Sequence, residues 1–218
     1  MRVQPPRTRA DARVCRIGIP VGLERSLPFV AVYDDGSAMD VAGLRDLWHI
    51  GESPKIKIPG QKTRSGRKLI GKFGIGKLAT YAVANKITYI CRQDKVVYSV
   101  ACDFRSFESS PEGITSPVAL DVFKVVDLDQ LRSSEMLASV IGALGLSLDP
   151  LLGAGCPHWT ICLLEDLKPK VLEITLGRLR WVLRTALPLR SDFKVYLNGE
   201  EIRQRERENP GCCFLWCS

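Results

Sequence analysis

The stretch GKFGIGKLAT, residues 71–80, has the residue types and the spacing that could hold a phosphate group. Three glycines, Gly71, Gly74 and Gly76, leave backbone amides exposed, and Lys77 follows them with a positive charge. Amides at the start of a helix, together with the helix dipole, favour an anion. Close packing of a helix on a sheet also uses small residues, but three glycines in six positions are more than packing usually requires. The stretch therefore predicts a phosphate-binding loop.

Two well-known phosphate-binding signatures fit this loop only in part. Gly71 and the pair Gly76-Lys77 have the Walker A spacing, but Leu78 stands where that motif places a Ser or Thr hydroxyl for magnesium. The order Gly74-x-Gly76-x-x-Ala79 has the letters of the dinucleotide signature, without a strand before it or an acidic residue about 20 positions later. A P-loop NTPase stays open as an alternative, and the dinucleotide site is set aside.

Positive charge is concentrated around the same loop. The net charge is +7, and residues 55–77 carry eight lysines and arginines without an acidic residue. Such a run is either a solvated loop or a loop that contacts an anion, and the anion could be a nucleotide or a nucleic acid. A nucleotide-free module that contacts nucleic acid or a partner chain through residues 55–77 is therefore a second alternative.

The cysteines and the apolar residues argue against two other classes of protein. The eight cysteines lack paired C-x-x-C spacing, and the two histidines have no partner at ligand spacing, so we expect no metal site built from them. No apolar run approaches the about 18 to 20 residues of a membrane helix, and the first residues do not resemble a secretory leader. We expect a cytoplasmic protein with reduced thiols and no membrane partner.

The elements that must position the loop include several strands. Apolar alternation and β-branched or aromatic runs predict them at 13–19, 28–34, 87–104 as a hairpin, 158–164, and 193–202 as a pair joined by an Asn-Gly turn.

Helices are predicted between these strands. Helical spacing indicates them at 41–50, 77–86 and 170–189, with a mixture of strand, helix and loop at 105–155. Strands that come in hairpins rather than in strict β-α-β units predict an α/β fold, an α+β two-layer sandwich. Its sheet would be mixed and mostly antiparallel, with helices packed on one face. We expect one domain at 1–205 and an irregular tail at 206–218.

Two glycine boxes, in this order, resemble the nucleotide-binding boxes of the GHKL superfamily, which includes gyrase, the large heat-shock chaperones, sensor histidine kinases and MutL. The first box of that family is a strand ending in Asp-x-Gly-x-Gly-Met, and residues 34–39 read Asp-Asp-Gly-Ser-Ala-Met. The second is Gly-x-Phe-Gly-x-Gly at a helix start, and residues 71–76 read Gly-Lys-Phe-Gly-Ile-Gly. LWHIGESPK at 47–55 is similar to a segment of bacterial chaperone-like or MORC-like members, and DFKVYLNGEEI at 192–202 is similar to the closing strands of the family.

The resemblance implies that the chain binds ATP with Mg²⁺. Asp34 would accept a hydrogen bond from the exocyclic amine of adenine, and guanine has a carbonyl at that edge, so ATP is favoured over GTP. Gly36 would let the backbone approach the base, Met39 would form an apolar wall, and the hydroxyl of Thr160, at the third box, would join Asp34. The lid and the phosphate contacts would come from Lys55, Gly71, Phe73, Gly74, Ile75, Gly76 and Lys77. Asp34 as only a turn residue and Met39 as only a core residue are the alternatives.

Three departures from the family pattern limit what the resemblance implies. The first helix of the family carries a Glu that activates water and an Asn that holds Mg²⁺, and MRVQPPRTRADAR, before the first strand, contains neither. Without a base, attack by water slows by about 10²- to 10⁴-fold. We therefore expect an N-terminally truncated domain with weak or lost hydrolysis, without an assigned catalytic residue or metal ligand. Ala38 replaces the second glycine of the first box, and Trp159 replaces a glycine before Thr160 and would crowd the base. Dimerisation in the family implies a homodimer or a partner chain.

Overall fold

The sheet of this protein is mixed and mostly antiparallel. The computed structural model describes residues 14–20, 28–48, 76–108, 120–187 and 193–203. Its strands are β1 (Val14–Gly18), β2 (Val30–Asp34), β3 (Ala84–Gln93), β4 (Val96–Asp103), β5 (Val122–Val125), β6 (His158–Leu167), β7 (Lys194–Leu197) and β8 (Glu200–Glu201). They lie in the order β5-β4-β3-β6-β2-β1-β7-β8, and among the described neighbours only β1 and β7 are parallel. The predicted fold class is confirmed.

Short helices connect the strands. They are α1 (Val41–Asp46), a 3₁₀ helix (Gly76–Ala82), α2 (Arg105–Glu108), α3 (Leu128–Arg132), α4 (Glu135–Ala143), α5 (Leu148–Leu152), α6 (Pro169–Leu172) and α7 (Leu176–Ala186). The side chains of Asp40, Ser134 and Thr175 cap α1, α4 and α7 by accepting from an amide of the first turn. These caps satisfy amides that a helix start leaves unpaired, so they fix where the helices begin. Within the described residues, each helix is too short or too polar to cross a membrane.

One face of the sheet, here called the α4 face, packs against α4 and α5. Its buried residues from β2 and β6 are Ala31, Tyr33, Trp159, Ile161 and Leu163, and those from the helices are Leu137, Val140, Ile141, Leu144, Leu151 and Leu152. Gly18 lets α4 approach closely, because a Cβ there would lie 2.7 Å from the carbonyl carbon of Ala143.

The opposite face, here called the α1 face, packs against α1 and α7. Side chains alternate along a strand, so the even-numbered residues of β2 and β6 point to this side. Leu44 of α1 is buried in a cluster with Ile87, Tyr89, Cys162 and Leu164. Leu179 and Leu183 of α7 pack on a cluster of Val195, Leu197 and Ile202. Helices therefore lie on both faces of the sheet, whereas the sequence predicted helices on one face. The difference arises because residues 128–152 form α3 to α5.

Three predicted helices have different bounds in the structure, and the first of them, predicted at 41–50, ends at Asp46. The segment at 77–86 forms a 3₁₀ helix only to Ala82, and β3 starts at Ala84, earlier than predicted. The segment at 170–189 is divided into α6 and α7, because Thr175 caps a new helix. The predicted tail at 206–218 lies outside the described residues, so the domain limits stay a prediction.

Candidate functional site

Two polar side chains of the first and third boxes meet at the end of β2. Asp34 is the last residue of β2, and Thr160 of β6 is its Cα partner in the antiparallel ladder. Residues directly opposite place their Cβ atoms about 4.5 to 5.5 Å apart on one side of a sheet. Both continue the even-numbered series that contains Val32 and Cys162, so both face α1. The structure therefore brings together two residues that lie far apart in the sequence.

The hydroxyl of Thr160 is buried without a hydrogen-bond partner among the described residues. The residue is 0% exposed, and its Oγ1 atom lacks a donor or acceptor within reach. Burying an unpaired hydroxyl costs about 1 to 3 kcal/mol. A polar ligand atom at this position would remove that cost, so the residues present fit a ligand that forms a hydrogen bond beside Asp34.

The turn after β2 holds the backbone close to this pair. The amide of Gly36 donates to Oδ1 of Asp34 at 3.1 Å, which orients the carboxylate. Ala38 has a φ of 59°, in the left-handed region, and is 8% exposed. A side chain in that region costs roughly 1 to 3 kcal/mol. The second glycine of the family box therefore matches a real conformational requirement, and its replacement by Ala38 places strain two residues from Gly36.

Met39 also lies on the α1 face, where it is half-buried and packs against the cluster that contains Leu44 and Tyr89. A Cβ on Gly43, in α1, would approach the Cβ of Met39 to 3.2 Å. Met39 therefore has a core role in this structure, and its role as a wall of the base site stays a prediction.

Trp159 does not crowd the site, contrary to the concern raised by the sequence. It is 0% exposed and lies on the α4 face, one residue out of phase with Thr160. Its Nε1 donates to the carbonyl of Leu151 at 2.9 Å. The large ring fills the space under α5 and leaves the α1 face beside Asp34 without a tryptophan from β6.

The structure describes only part of the predicted phosphate-binding end of the site. Gly76 and Lys77 begin the 3₁₀ helix, which ends beside the start of β3. The first residue of β3, Ala84, pairs with Leu167 of β6, and Cys91 pairs with Thr160. At about 3.3 Å per residue, the stretch of β6 from Leu167 to Thr160 is about 20 Å long, and it separates the end of this helix from Thr160. The predicted contacts outside the described residues are Lys55, Gly71, Phe73, Gly74 and Ile75.

Sequence reasoning missed two further polar atoms on the α1 face. Nε1 of Trp48 and Nδ1 of His158 are buried and lack a hydrogen-bond partner within the described ranges. Trp48 packs edge-to-face on Tyr89, with ring centroids 6.3 Å apart. His158 precedes Thr160 by two positions on β6, so it faces the same side. Strand alternation counted from Thr160 would have identified His158.

An apolar groove of about 730 Å³ lies beside this site on the α1 face. Ile17, Val30, Val32 and Leu164 form its floor, and residues 171–179 form one wall. Among the described residues that line it, Thr175 carries the one polar side chain. The groove does not offer the hydrogen bonds that a base or a phosphate needs, so we do not place the nucleotide there.

Within the part of the site that the structure describes, neither a shifted pKa nor a metal-ligand cluster indicates a catalytic group. Burial raises the pKa of Tyr33, and the charges of Cys156, Asp35 and Asp34 raise it further, so its phenol stays neutral. Among the described residues, there is no group of three or more His, Cys, Asp or Glu side chains that could hold a metal ion. We therefore assign no magnesium ligand.

Comparison with known families agrees with the two boxes. A family model described as histidine kinase-, DNA gyrase B- and HSP90-like ATPase matches residues 8–134, which is more than half of the chain. The match contains both glycine boxes and ends before β6, so Thr160 is linked to the site by the sheet register. No curated protein shows significant similarity to the chain. The chain belongs to the histidine kinase-, DNA gyrase B- and HSP90-like ATPase family, the GHKL superfamily that its two boxes indicated.

Proposed function

We propose that this chain binds ATP on its α1 face, with Asp34 and Thr160 at the adenine end. Membership of a GHKL-type ATPase family supports an ATP-binding domain. The observation that carries the assignment of residues is the pairing of Asp34 with the buried, unpaired hydroxyl of Thr160. A carboxylate only accepts hydrogen bonds, whereas a hydroxyl can donate and accept. The pair is therefore complementary to the adenine edge, where an amine donor lies beside a ring nitrogen acceptor.

The other predicted contacts extend this proposal toward the phosphates. Gly36 would border the base, because its backbone lies beside the carboxylate of Asp34. The phosphates would lie on the second box, residues 71–77, where backbone amides and Lys77 supply positive partial and full charge. The basic residues of the segment 51–70 would cover them as a lid. Mg²⁺ would accompany the triphosphate and neutralise part of its charge.

Hydrolysis by this chain alone is proposed to be weak or lost. Residues 1–13 contain neither Glu nor Asn, the two residue types that the family places before the first strand. A subtype similar to the bacterial chaperone-like or MORC-like members is proposed from LWHIGESPK at 47–55. As in other members of the family, ATP would control closure and pairing of the domain with a second copy or a partner chain.

The test is a titration with a fluorescent ATP analogue, with and without Mg²⁺, on the wild type and two neighbouring variants. Asp34→Asn replaces an acceptor oxygen by an amide donor, and the loss of a charged hydrogen bond, about 1.5 to 3 kcal/mol, weakens binding by about 10- to 150-fold. Asp35→Asn is the matched control. Oδ1 of Asp35 accepts a hydrogen bond from the amide of Val14, in the neighbouring strand β1, at 2.8 Å. Asparagine keeps an oxygen that can accept this bond. We expect Asp35→Asn to bind like the wild type.

Other outcomes would support the alternatives. Binding that persists in Asp34→Asn but is lost in Lys77→Ala would support a P-loop. Absence of nucleotide binding, with salt-sensitive retention on DNA, would support a nucleic-acid module through the basic residues 55–77. Phosphate release from ATP at a rate typical of the family would contradict weak or lost hydrolysis.

A further inference from the structure

We propose that His158 is a second acceptor for the adenine amine, so that the site accepts hydrogen bonds from both N–H groups of that amine. The inference rests on the proposed ATP site, which assigns one of these N–H groups to Asp34. It makes His158 a specificity-determining residue and distinguishes an unsubstituted adenine from one that carries an alkyl group on the amine.

The sheet register places His158 within reach of the base. It is the first residue of β6, and Thr160 follows two positions later on the same side, about 7 Å away. Asp34 lies directly opposite Thr160, so His158 is its diagonal neighbour across the ladder, at about 7 to 8 Å between Cα atoms. That separation suits two side chains that converge on one small group between them.

The charge that surrounds His158 favours an acceptor nitrogen on this side. Its Nε2 lies 3.7 Å from Oδ1 of Asp94, too far for a hydrogen bond, but the nearby negative charge favours the ring N–H on the side that faces the carboxylate. In the neutral form of the ring, Nδ1 then carries the lone pair, because a neutral imidazole has one donor and one acceptor nitrogen. This atom is buried and has no partner within the part of the chain that the structure describes. A donor from a ligand would supply the missing hydrogen bond.

Two acceptors facing one position have a chemical consequence. The amine of adenine has two N–H groups, one for Asp34 and one for Nδ1 of His158. The carbonyl of guanine at the same position would face two acceptors and would be repelled. An N6-methylated amine has only one N–H, so one buried acceptor would stay unpaired, which lowers affinity by about 5- to 150-fold.

A purely structural role for His158 is the competing explanation. In that case the ring would only brace the turn between β3 and β4 through Asp94. The backbone already holds this turn, because the amide of Asp94 donates to the carbonyl of Pro157 at 2.7 Å. The contact with Asp94 also leaves Nδ1 unexplained.

The experiment compares ATP with N6-methyl-ATP on the full chain, using four proteins and one titration assay. The wild type should prefer ATP by about 5- to 150-fold. His158→Leu should lose this preference, with the two affinities within about twofold of each other. His158→Gln, which keeps an acceptor oxygen, should retain a preference, and it also serves if the leucine variant does not fold. Asp94→Asn, whose amide oxygen can still accept from Nε2–H, should keep the wild-type ratio.

The outcomes separate this inference from the proposed function. If the wild type binds ATP through Asp34 but His158→Leu keeps the full preference for ATP, the role of His158 is wrong and the ATP site stands. A wild type that binds the two nucleotides equally also overturns the role of His158. If the wild type does not bind ATP, both proposals fall.

Discussion

Replacing Thr160 with valine is expected to change stability and nucleotide binding in opposite directions. Valine has nearly the shape of threonine, carries a methyl group in place of the hydroxyl, and is favoured in strands. Thr160 is 0% exposed in β6, so the substitution acts entirely inside the protein. The variant therefore tests whether the hydroxyl serves the fold or a ligand.

The magnitude follows from the unpaired state of the hydroxyl. A buried hydroxyl without a partner costs about 1 to 3 kcal/mol, and valine removes that cost. The free energy of unfolding of the ligand-free protein should rise by up to this amount. ATP would lose the partner that the hydroxyl provides, so its affinity should fall by about 5- to 150-fold. A residue with a purely structural role would not produce both effects.

Thr88→Val provides a matched control on the α4 face. Thr88 is 8% exposed in the neighbouring strand β3, but its hydroxyl donates to Oε2 of Glu165 at 3.1 Å. Valine there breaks an existing bond, so stability should fall by about 1 kcal/mol while ATP affinity stays unchanged. Urea unfolding, with an unchanged slope, measures the first quantity, and the fluorescent titration measures the second. A loss of stability in Thr160→Val of more than about 1 kcal/mol, or wild-type ATP affinity, would refute the reasoning.

Three further predictions concern the scaffold. Arg92 is 4% exposed, and its guanidinium donates to four backbone carbonyls. Arg92→Ala should therefore lower the free energy of unfolding by about 3 kcal/mol or more, and a loss below about 1 kcal/mol in urea unfolding would contradict this. Gly145 has a φ of +66°, and a Cβ there would lie 2.7 Å from the Cα of Gly199, so Gly145→Ala should lower the free energy of unfolding by about 2 kcal/mol or more. Gly142, on α4, has open space around it, so Gly142→Ala should be neutral or slightly stabilising in thermal unfolding. Burial, and then the charge of Asp103, raises the pKa of Cys102 from 9.0 to about 11. The stability that comes from keeping this thiol neutral is therefore complete below about pH 9 and is lost as the pH rises through about 11. If Cys102→Ala leaves the dependence of the unfolding free energy on pH unchanged, this thiol does not contribute.

Much of the sheet could be predicted from the sequence, because its strands are long enough to show a pattern. β6 is ten residues long, and β2 ends in a charged box directly after its apolar run. The error about Trp159 came from treating neighbours in a motif as neighbours in space. Alternation along β6 sends Trp159 and Thr160 to opposite faces, and this rule needs only the sequence and the assignment of a strand.

Other features could not be predicted, for physical reasons. α3 and α5 have five residues each, less than two turns, so the spacing of apolar residues carries little information about them. The left-handed conformation of Ala38 is also hidden, because alanine does not signal it as glycine would. The cap at Thr175 that divides the predicted helix at 170–189 competes with continuous helical spacing, and the sequence does not show which one prevails.

The two faces of the sheet differ in how completely their buried polar groups are paired. On the α4 face, Trp159 donates to Leu151, Arg92 donates to four carbonyls, and Thr88 donates to Glu165. The three buried side-chain polar atoms without a partner in the described residues belong to Trp48, His158 and Thr160, all of which the α1 face contains. Each unpaired atom costs about 1 to 3 kcal/mol, so chance and packing alone would not favour three on one side. Thr160 lies opposite Asp34 and His158 is its diagonal neighbour, so two of these atoms lie where a ligand site with several hydrogen bonds requires them, and bound ATP should stabilise the protein.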